Sequence, residues 1–389
     1  MIPLRRIPLA WLMLTHKKGR LAISATGVAF ASTLMFIEMG FLNGLLDTQT
    51  HIVDVLNGEV FLISSQKEAM LPLRPFPRKR LQQALGSPDV TAVYPLYIQG
   101  YSSAWRPPPE KLRRAMIVYG FNPDDPVFLL PEVAAHADDL KHPDTVLIDR
   151  ESWPALLGET TAGGSGELGG HRVRVVGMFT LGVDMMSDGS LIVGDRTFFT
   201  CFTDPRAPSA VVDRVEVGLV KLRTGADAAK VRDELRRWLP DDVRVLTKAG
   251  FVDHLKSYWS TAQPVGPVFG MGMLVGFFIG VTICYQILYT DIMEHLPQYA
   301  TLKAMGYSNR FLVGVTIQEA VYLGVLGFFP GLLVSVGGYA VLHQVSGMLM
   351  GLSLGRIVLV FVLTLLMCAV SGLLAIRRVL HADPAEVFA

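Results

Sequence analysis

Four long apolar runs leave this chain little choice of architecture. They cover Leu21 to Leu46, Val265 to Thr290, Phe311 to Leu342 and Arg356 to Ile376, and a polar block, 47–262, separates the first from the second. About 20 predominantly apolar residues cross a hydrocarbon core of about 30 Å, so each run is long enough to span a bilayer. Composition agrees: the 389 residues are 51% hydrophobic and 18% charged, against about 25% charged in soluble domains. Ala29-Phe30-Ala31 resembles a signal-peptide cleavage site. The apolar run continues through Met35, Phe36, Ile37, Met39 and Phe41, so a retained span is expected. A net charge of +1 provides no basic field for nucleic acid.

The polar block reads as one α+β domain. Short β patterns occur at Gly58–Ser64, Tyr97–Ala104, Ala115–Tyr119, Thr145–Ile148, His171–Val176, Leu191–Val193 and Val215–Leu219. Helical patterns occur at Arg78–Leu85 and Ala226–Leu239, the latter with Val231, Leu235 and Trp238 on one face. The two types do not alternate regularly, which argues against a doubly wound sheet. The glycine-rich stretch 160–170 is expected to be a flexible loop. Of three cysteines, Cys284 and Cys368 fall in apolar runs and Cys201 stands alone, so no disulfide framework supports this domain. It has to rely on its own core, for which its size suffices.

Several residues within the spans stand out. Gly40 and Gly44 form a small-xxx-small pair, and Gly272, Gly276 and Gly280 form a ridge along the second span. Each glycine costs a helix about 1 kcal/mol relative to alanine, tolerable where backbones must pack closely. These positions are expected to serve helix packing, including a dimer seam. Glu38, Gln318 and Glu319 are intramembrane polar residues. Such residues are functional candidates by default, although packing or hydrogen bonding to a neighbouring helix explains them equally. Residues 1–20, with Leu4, Ile7, Trp11 and Leu14 at helical spacing among cations, read as a helix lying on the membrane surface.

The segment 291–310 is too polar to cross a membrane and too patterned for a plain linker. Pro297 suits a first helical turn, Tyr299, Leu302 and Met305 recur at helical spacing, and Gly306 is placed as a stop. One short helix joining the second and third spans is expected, able to move both if a partner pushes on it. The basic residues flank the N-terminus, 291–310 and the C-terminal end at Arg377 and Arg378; the loop 343–355 has none. The positive-inside rule then places both termini and 291–310 in the cytoplasm, the tail 377–389 included, and 47–262 outside.

Tyr299 to Tyr307, Tyr-Ala-Thr-Leu-Lys-Ala-Met-Gly-Tyr, resembles the coupling segment of FtsX/MacB-type ABC transporter permeases. His295-Leu296-Pro297 is closer to the DevC branch, the permeases of heterocyst-type glycolipid exporters; Leu9-Ala10-Trp11 and the terminal Asp383-Pro-Ala-Glu386 resemble that branch too. The resemblance implies the MacB/FtsX-type architecture: a membrane protein with four transmembrane α-helices per chain and a large α+β extracytoplasmic domain between helices 1 and 2. It implies an inner-membrane homodimer working with a cytoplasmic ABC ATPase dimer, which contacts Gln298, Tyr299, Ala300, Thr301, Leu302, Lys303, Ala304, Met305 and Gly306. It further implies a periplasmic membrane-fusion protein, a TolC-like outer-membrane channel and an amphiphilic, lipid-like cargo such as a glycolipid. Two alternatives share the machinery: an FtsX-type permease that controls a cell-wall hydrolase, and a lipoprotein-release permease.

Catalytic patterns are missing. The chain has no Gly-Lys dipeptide and hence no phosphate-binding P-loop, so ATP and Mg²⁺ are expected on a separate ATPase chain and no cofactor in this one. No His-Glu-x-x-His or Cys/His cluster suggests a metal site. Ser165 lies among glycines without the strand–turn–helix setting of a nucleophile elbow, which disfavours a membrane-anchored hydrolase.

Overall fold

The computed structural model describes residues 9–16, 18–106, 114–152, 163–182, 187–203, 213–346 and 351–380. In chain order its helices are α1 (Leu9–His16), α2 (Lys18–Val55), α3 (Lys79–Ala84), α4 (Pro131–Ala135), α5 (Ala137–Leu140), α6 (Asp195–Phe202), α7 (Ala228–Trp238), α8 (Lys248–Ser257), α9 (Val265–Glu294), α10 (Leu296–Ala304), α11 (Asn309–Ser346) and α12 (Leu354–Leu380). The strands are β1 (Val60–Ser64), β2 (Phe76–Pro77), β3 (Val90–Arg106), β4 (Arg114–Phe121), β5 (Thr145–Asp149), β6 (Ser165–Leu168), β7 (His171–Phe179), β8 (Gly189–Gly194), β9 (Arg214–Val215), β10 (Val217–Leu222) and β11 (Val243–Thr247). Two compact units result: a helical one of 1–43, 265–342 and 350–389, and a sheet-rich one of 44–264 and 343–349.

In the sheet-rich unit one long strand serves two sheets. The first half of β3 pairs with β10, completing an antiparallel sheet β11-β1-β10-β3. Its second half pairs with β4, and the order β3-β4-β8-β5-β7-β6 returns to β3 through Trp105↔Leu168, closing a ring of six strands. Closure removes the unpaired edges that would otherwise template aggregation. Side chains alternate between the faces of a strand, and β1 shows the consequence. Val60 and Leu62 join a core with Leu81 of α3 and Val231 and Leu235 of α7, while Phe61 and Ile63 join another with Phe251 and Leu255 of α8. Trp105, wholly buried, belongs to the first core, and a Cβ on Gly166 would come 2.2 Å from its ring.

Two buried polar features hold this unit. Lys67 Nζ donates to Glu216 Oε2 at 2.6 Å and to the Met70 carbonyl at 2.9 Å. Asp149, at the end of β5, accepts from the backbone N–H groups of Glu151, Leu181 and Gly182 at 3.0–3.1 Å. Burial nevertheless pushes its carboxyl up to about 6, outweighing those three bonds.

Two expectations are corrected here. Ser165–Leu168 is a strand hairpinned to β7, so half of the described part of the glycine-rich stretch is ordered pairing rather than loop. Trp238 is exposed; Leu239, four residues beyond Leu235, takes the buried position instead. β2, β6, β9 and β11 add to the strand patterns read from the sequence.

In the helical unit, α2, α9, α11 and α12 each contain a segment long and apolar enough to cross a membrane. The glycine ridge of α9 packs within the chain. A Cβ on Gly272 would meet Glu38, one on Gly276 would meet Leu34, and one on Gly280 would meet Met367 and Ala31. Within the chain the three glycines therefore pack against α2 and α12, the helix packing expected of them. Gly40 likewise lies against Tyr339 of α11, whose hydroxyl donates to the Phe36 carbonyl; Gly44 is buried. Polar bonds cross the bundle where hydrocarbon offers none, as between Ser32 and Thr364, 3.1 Å apart. Cys284 and Cys368 are both buried, their sulfurs 3.8 Å apart.

Candidate functional site

The segment between the second and third spans folds as its residues dictate. α9 ends at Glu294, and His295 makes the corner: its backbone N–H donates to the Asp291 carbonyl at 3.1 Å, and its ring Nδ1 lies 2.9 Å from the same oxygen. Pro297 occupies the first turn of α10, where an N–H has no intrahelical partner to lose. At the other end Gly306 N–H donates to Lys303 O at 3.0 Å and Tyr307 N–H to Leu302 O at 3.1 Å, a Schellman closure. That closure needs a left-handed residue, and Gly306 has φ +93°.

The nine residues expected to contact an ATPase do not occupy one face. Gln298, Thr301, Met305 and Gly306 are exposed, together with Pro297 and Tyr307. Met305 is 63% exposed, and Tyr307 and Phe311, whose rings are 4.7 Å apart, add further apolar surface. Leu302 and Lys303 are half-buried, and Leu302 packs on the helical core. The side chains of Ala300 and Ala304 lie outside what is described. Tyr299 is 2% exposed and points into the bundle.

There Tyr299 meets Glu319 of α11. The Tyr299 hydroxyl faces the Glu319 carboxyl and the Thr316 hydroxyl. Neither it nor either Glu319 oxygen makes a well-formed hydrogen bond among the described residues. Burial, with the neighbouring Glu319 charge, pushes the Tyr299 phenol well up. Leaving a buried polar group unpaired costs about 1–3 kcal/mol, and more for a charged one. Glu319 is 1% exposed, whereas its neighbour Gln318 points away from the bundle and is exposed.

A second connection was invisible in the sequence. Arg20, near the start of α2, pairs with Asp291 at 3.5 Å and Glu294 at 2.5 Å, tying the first span to the end of the second. Read in one dimension, Arg20 is a flanking cation; nothing in its spacing points to acids far along the chain. A small cavity beside this network is lined by Met13, Leu14, Arg20, Ser24, Asp291 and His295. Leu14 is half-buried and lines this cavity. Trp11 is 40% exposed and stands edge-on to Tyr322, ring centroids 5.6 Å apart. Leu4, Ile7 and the Asp383 motif lie outside the described residues.

Comparison with known proteins fits this arrangement. Residues 21–238 match the family profile described as MacB-like periplasmic core domain, and 270–384 match FtsX-like permease C-terminal. An uncharacterized ABC transporter permease of Mycobacterium tuberculosis H37Rv is 23% identical over 376 residues, 96% of each chain, as is its counterpart in strain CDC 1551. Among solved structures, the periplasmic region of MacB from Actinobacillus actinomycetemcomitans aligns at TM-score 0.37 and 10% identity, covering 52% of this chain and 94% of that one. The extracellular domain of the noncanonic ABC-type transporter YknZ from Gram-positive bacteria aligns at TM-score 0.34 and 15% identity, covering 49% and 99%. With a MacB-like core match that takes in its first span and an FtsX-like C-terminal region holding the other three, the chain belongs to the FtsX/MacB family of ABC transporter permeases.

Proposed function

We propose that this permease converts ATP-driven motion of a separate cytoplasmic ATPase into movement of its sheet-rich domain, and so drives export of an amphiphilic cargo such as a glycolipid. The exposed rim of α10, from Pro297 and Gln298 through Thr301 to Met305, receives the ATPase. Two chains act as a homodimer, with both termini on the ATPase side of the membrane. A periplasmic fusion protein and an outer-membrane channel complete the path, as the DevC-like His295-Leu296-Pro297 suggests.

One observation carries the mechanical part. α2 is unbroken from Lys18 to Val55, about 57 Å at 1.5 Å per residue. It begins beside the Arg20–Asp291–Glu294 network, and Ile52 and Val53 at its far end are buried in the core of the sheet-rich unit. A helix with no break along its length supports a role in transmitting force.

The test is a photo-crosslinker at Thr301 in the full chain, co-expressed with its ATPase, and a periplasm-active reporter inserted after Gly225. The expected outcome is a crosslink to the ATPase and an active reporter. A reporter active only in its cytoplasmic form would overturn the topology, and a crosslink to lipid alone would overturn the coupling role.

A further inference from the structure

We infer that Cys284 and Cys368 form an oxidation site inside the helical unit: a small, uncharged, lipid-soluble two-electron oxidant joins their sulfurs in a disulfide that staples the second span to the fourth. The inference does not depend on the ATPase-coupling reading above.

The chain has three cysteines, and two of them, 84 residues apart, meet. Their sulfurs lie 3.8 Å from each other, one on α9 and one on α12, and both side chains are wholly buried. Closing to the length of a disulfide takes about 1.8 Å, shared between two side chains. The bond also needs backbones that approach closely, and α9 and α12 do so around the pair. Gly280, one turn before Cys284, is seated against Met367. Ser371 Oγ, one turn beyond Cys368, donates to the Val281 carbonyl at 2.9 Å, a side-chain bond that reaches the neighbouring backbone directly. On another side of Cys368 stands Gly324 of α11, where a Cβ would come 3.3 Å from the sulfur. Its absence leaves the sulfur room to turn about the Cα–Cβ bond. Cys201, the third cysteine, belongs to a different core, that of the sheet-rich unit.

Burial decides which oxidant is suited. A charged reagent pays heavily to enter an apolar bundle, so the reagent has to be uncharged and small. Molecular iodine is such a reagent, and the reaction balances with it. One thiol sulfur attacks iodine: an S–I bond forms, the I–I bond breaks and iodide leaves. The second sulfur displaces the remaining iodide as the S–S bond forms. Both thiol protons leave with the iodides, so two thiols and I₂ give one disulfide and two HI. The sulfurs lose two electrons and the iodine gains them. The product closes a covalent loop that contains α10 and the third span.

The experiment treats the full chain in proteoliposomes with iodine, as wild type, Cys284→Ser and Cys368→Ser/Leu366→Cys. Free thiols are counted after denaturation, cross-linked peptides are identified by mass without reduction, and melting is followed after solubilisation in detergent. Wild type should lose two of its three thiols and yield a peptide joining Cys284 to Cys368 within one chain. It should also melt about 3 °C or more higher, because the loop restricts the unfolded chain, and dithiothreitol should reverse both changes. Cys284→Ser should keep its two remaining thiols. Leu366 is 50% exposed, on another face of α12. The shifted variant therefore keeps the number of cysteines but should form an intrachain link at least a hundredfold more slowly. Three intact thiols in wild type, or a disulfide that only joins two chains, would overturn the site. So would a shifted variant that links as fast as wild type, or a Cys284–Cys368 bond that lowers the melting temperature, since either would mean that the pair is not preformed.

Discussion

Glu38 lies directly over Gly272: a Cβ on that glycine would come within 2.6 Å of Glu38 Oε2. The carboxylate of the first span and the glycine ridge of the second are therefore one contact, not two separate features. The ridge exists because α2 and α12 approach α9 closely along it. Gly280→Leu should accordingly lower the unfolding temperature of the detergent-solubilised chain, by the equivalent of about 1–3 kcal/mol for overpacking. Its oligomeric state, measured by light scattering, should not change. Loss of the oligomer at unchanged stability would instead assign the ridge to contacts between chains.

The two faces of α10 should respond differently to charge. Met305→Asp on the exposed face is expected to cut ATPase copurification at least tenfold and leave the melting temperature within about a degree, surface changes being worth less than about 0.5 kcal/mol. Tyr299→Asp should lower the melting temperature clearly, because it leaves a second carboxylate beside the buried Glu319. Equal behaviour of the two variants in both measurements would contradict the faces described here.

Asp149 makes stability depend on pH in a defined direction. Its folded carboxyl is raised to about 6, against about 3.9 for an unfolded aspartate. Between those values the folded state binds more protons than the unfolded one, so stability falls as pH rises from about 4 to about 6 and then levels off. The contribution is at most about 3 kcal/mol. Asp149→Asn should flatten that part of the profile in thermal melts of the full chain at pH 4 to 7. An unchanged slope in the variant would show that other groups set it.

Removing half of the Lys67–Glu216 pair should cost more than removing all of it. Lys67 is 1% exposed, and burial pulls its ammonium down while Glu216 pulls it up. Glu216→Leu alone strands that cation and should destabilise by about 3–5 kcal/mol, whereas Lys67→Met/Glu216→Leu should recover much of the loss. Chemical denaturation of the three chains decides; a double variant as unstable as the single one would mean that the pair's hydrogen bonds to Met70 O and Arg74 N–H matter more than its charge.

Local signals proved legible wherever one residue answers to its immediate neighbours. Pro297 and Gly306 bound α10 because a proline ring and a positive φ are properties of single positions. The strand from Val60 to Ser64 was readable from its β-rich run, but its burial on both faces was not, because α7 and α8 lie far along the chain. For the same reason helical periodicity puts Trp238 on one face with Val231 and Leu235, while the structure exposes it and buries Leu239.

Sequence alone determined that the chain has four apolar spans, a large polar domain after the first and a short capped helix after the second. Length, hydropathy and backbone preference are additive along the chain and need no knowledge of what packs where. Only the tertiary structure decided that the glycine ridge turns inward, that Arg20 holds Asp291 and Glu294, and that Tyr299 and Glu319 meet. Each of these joins residues on different helices, and the rotation of a helix about its axis is set by the surfaces that pack against it.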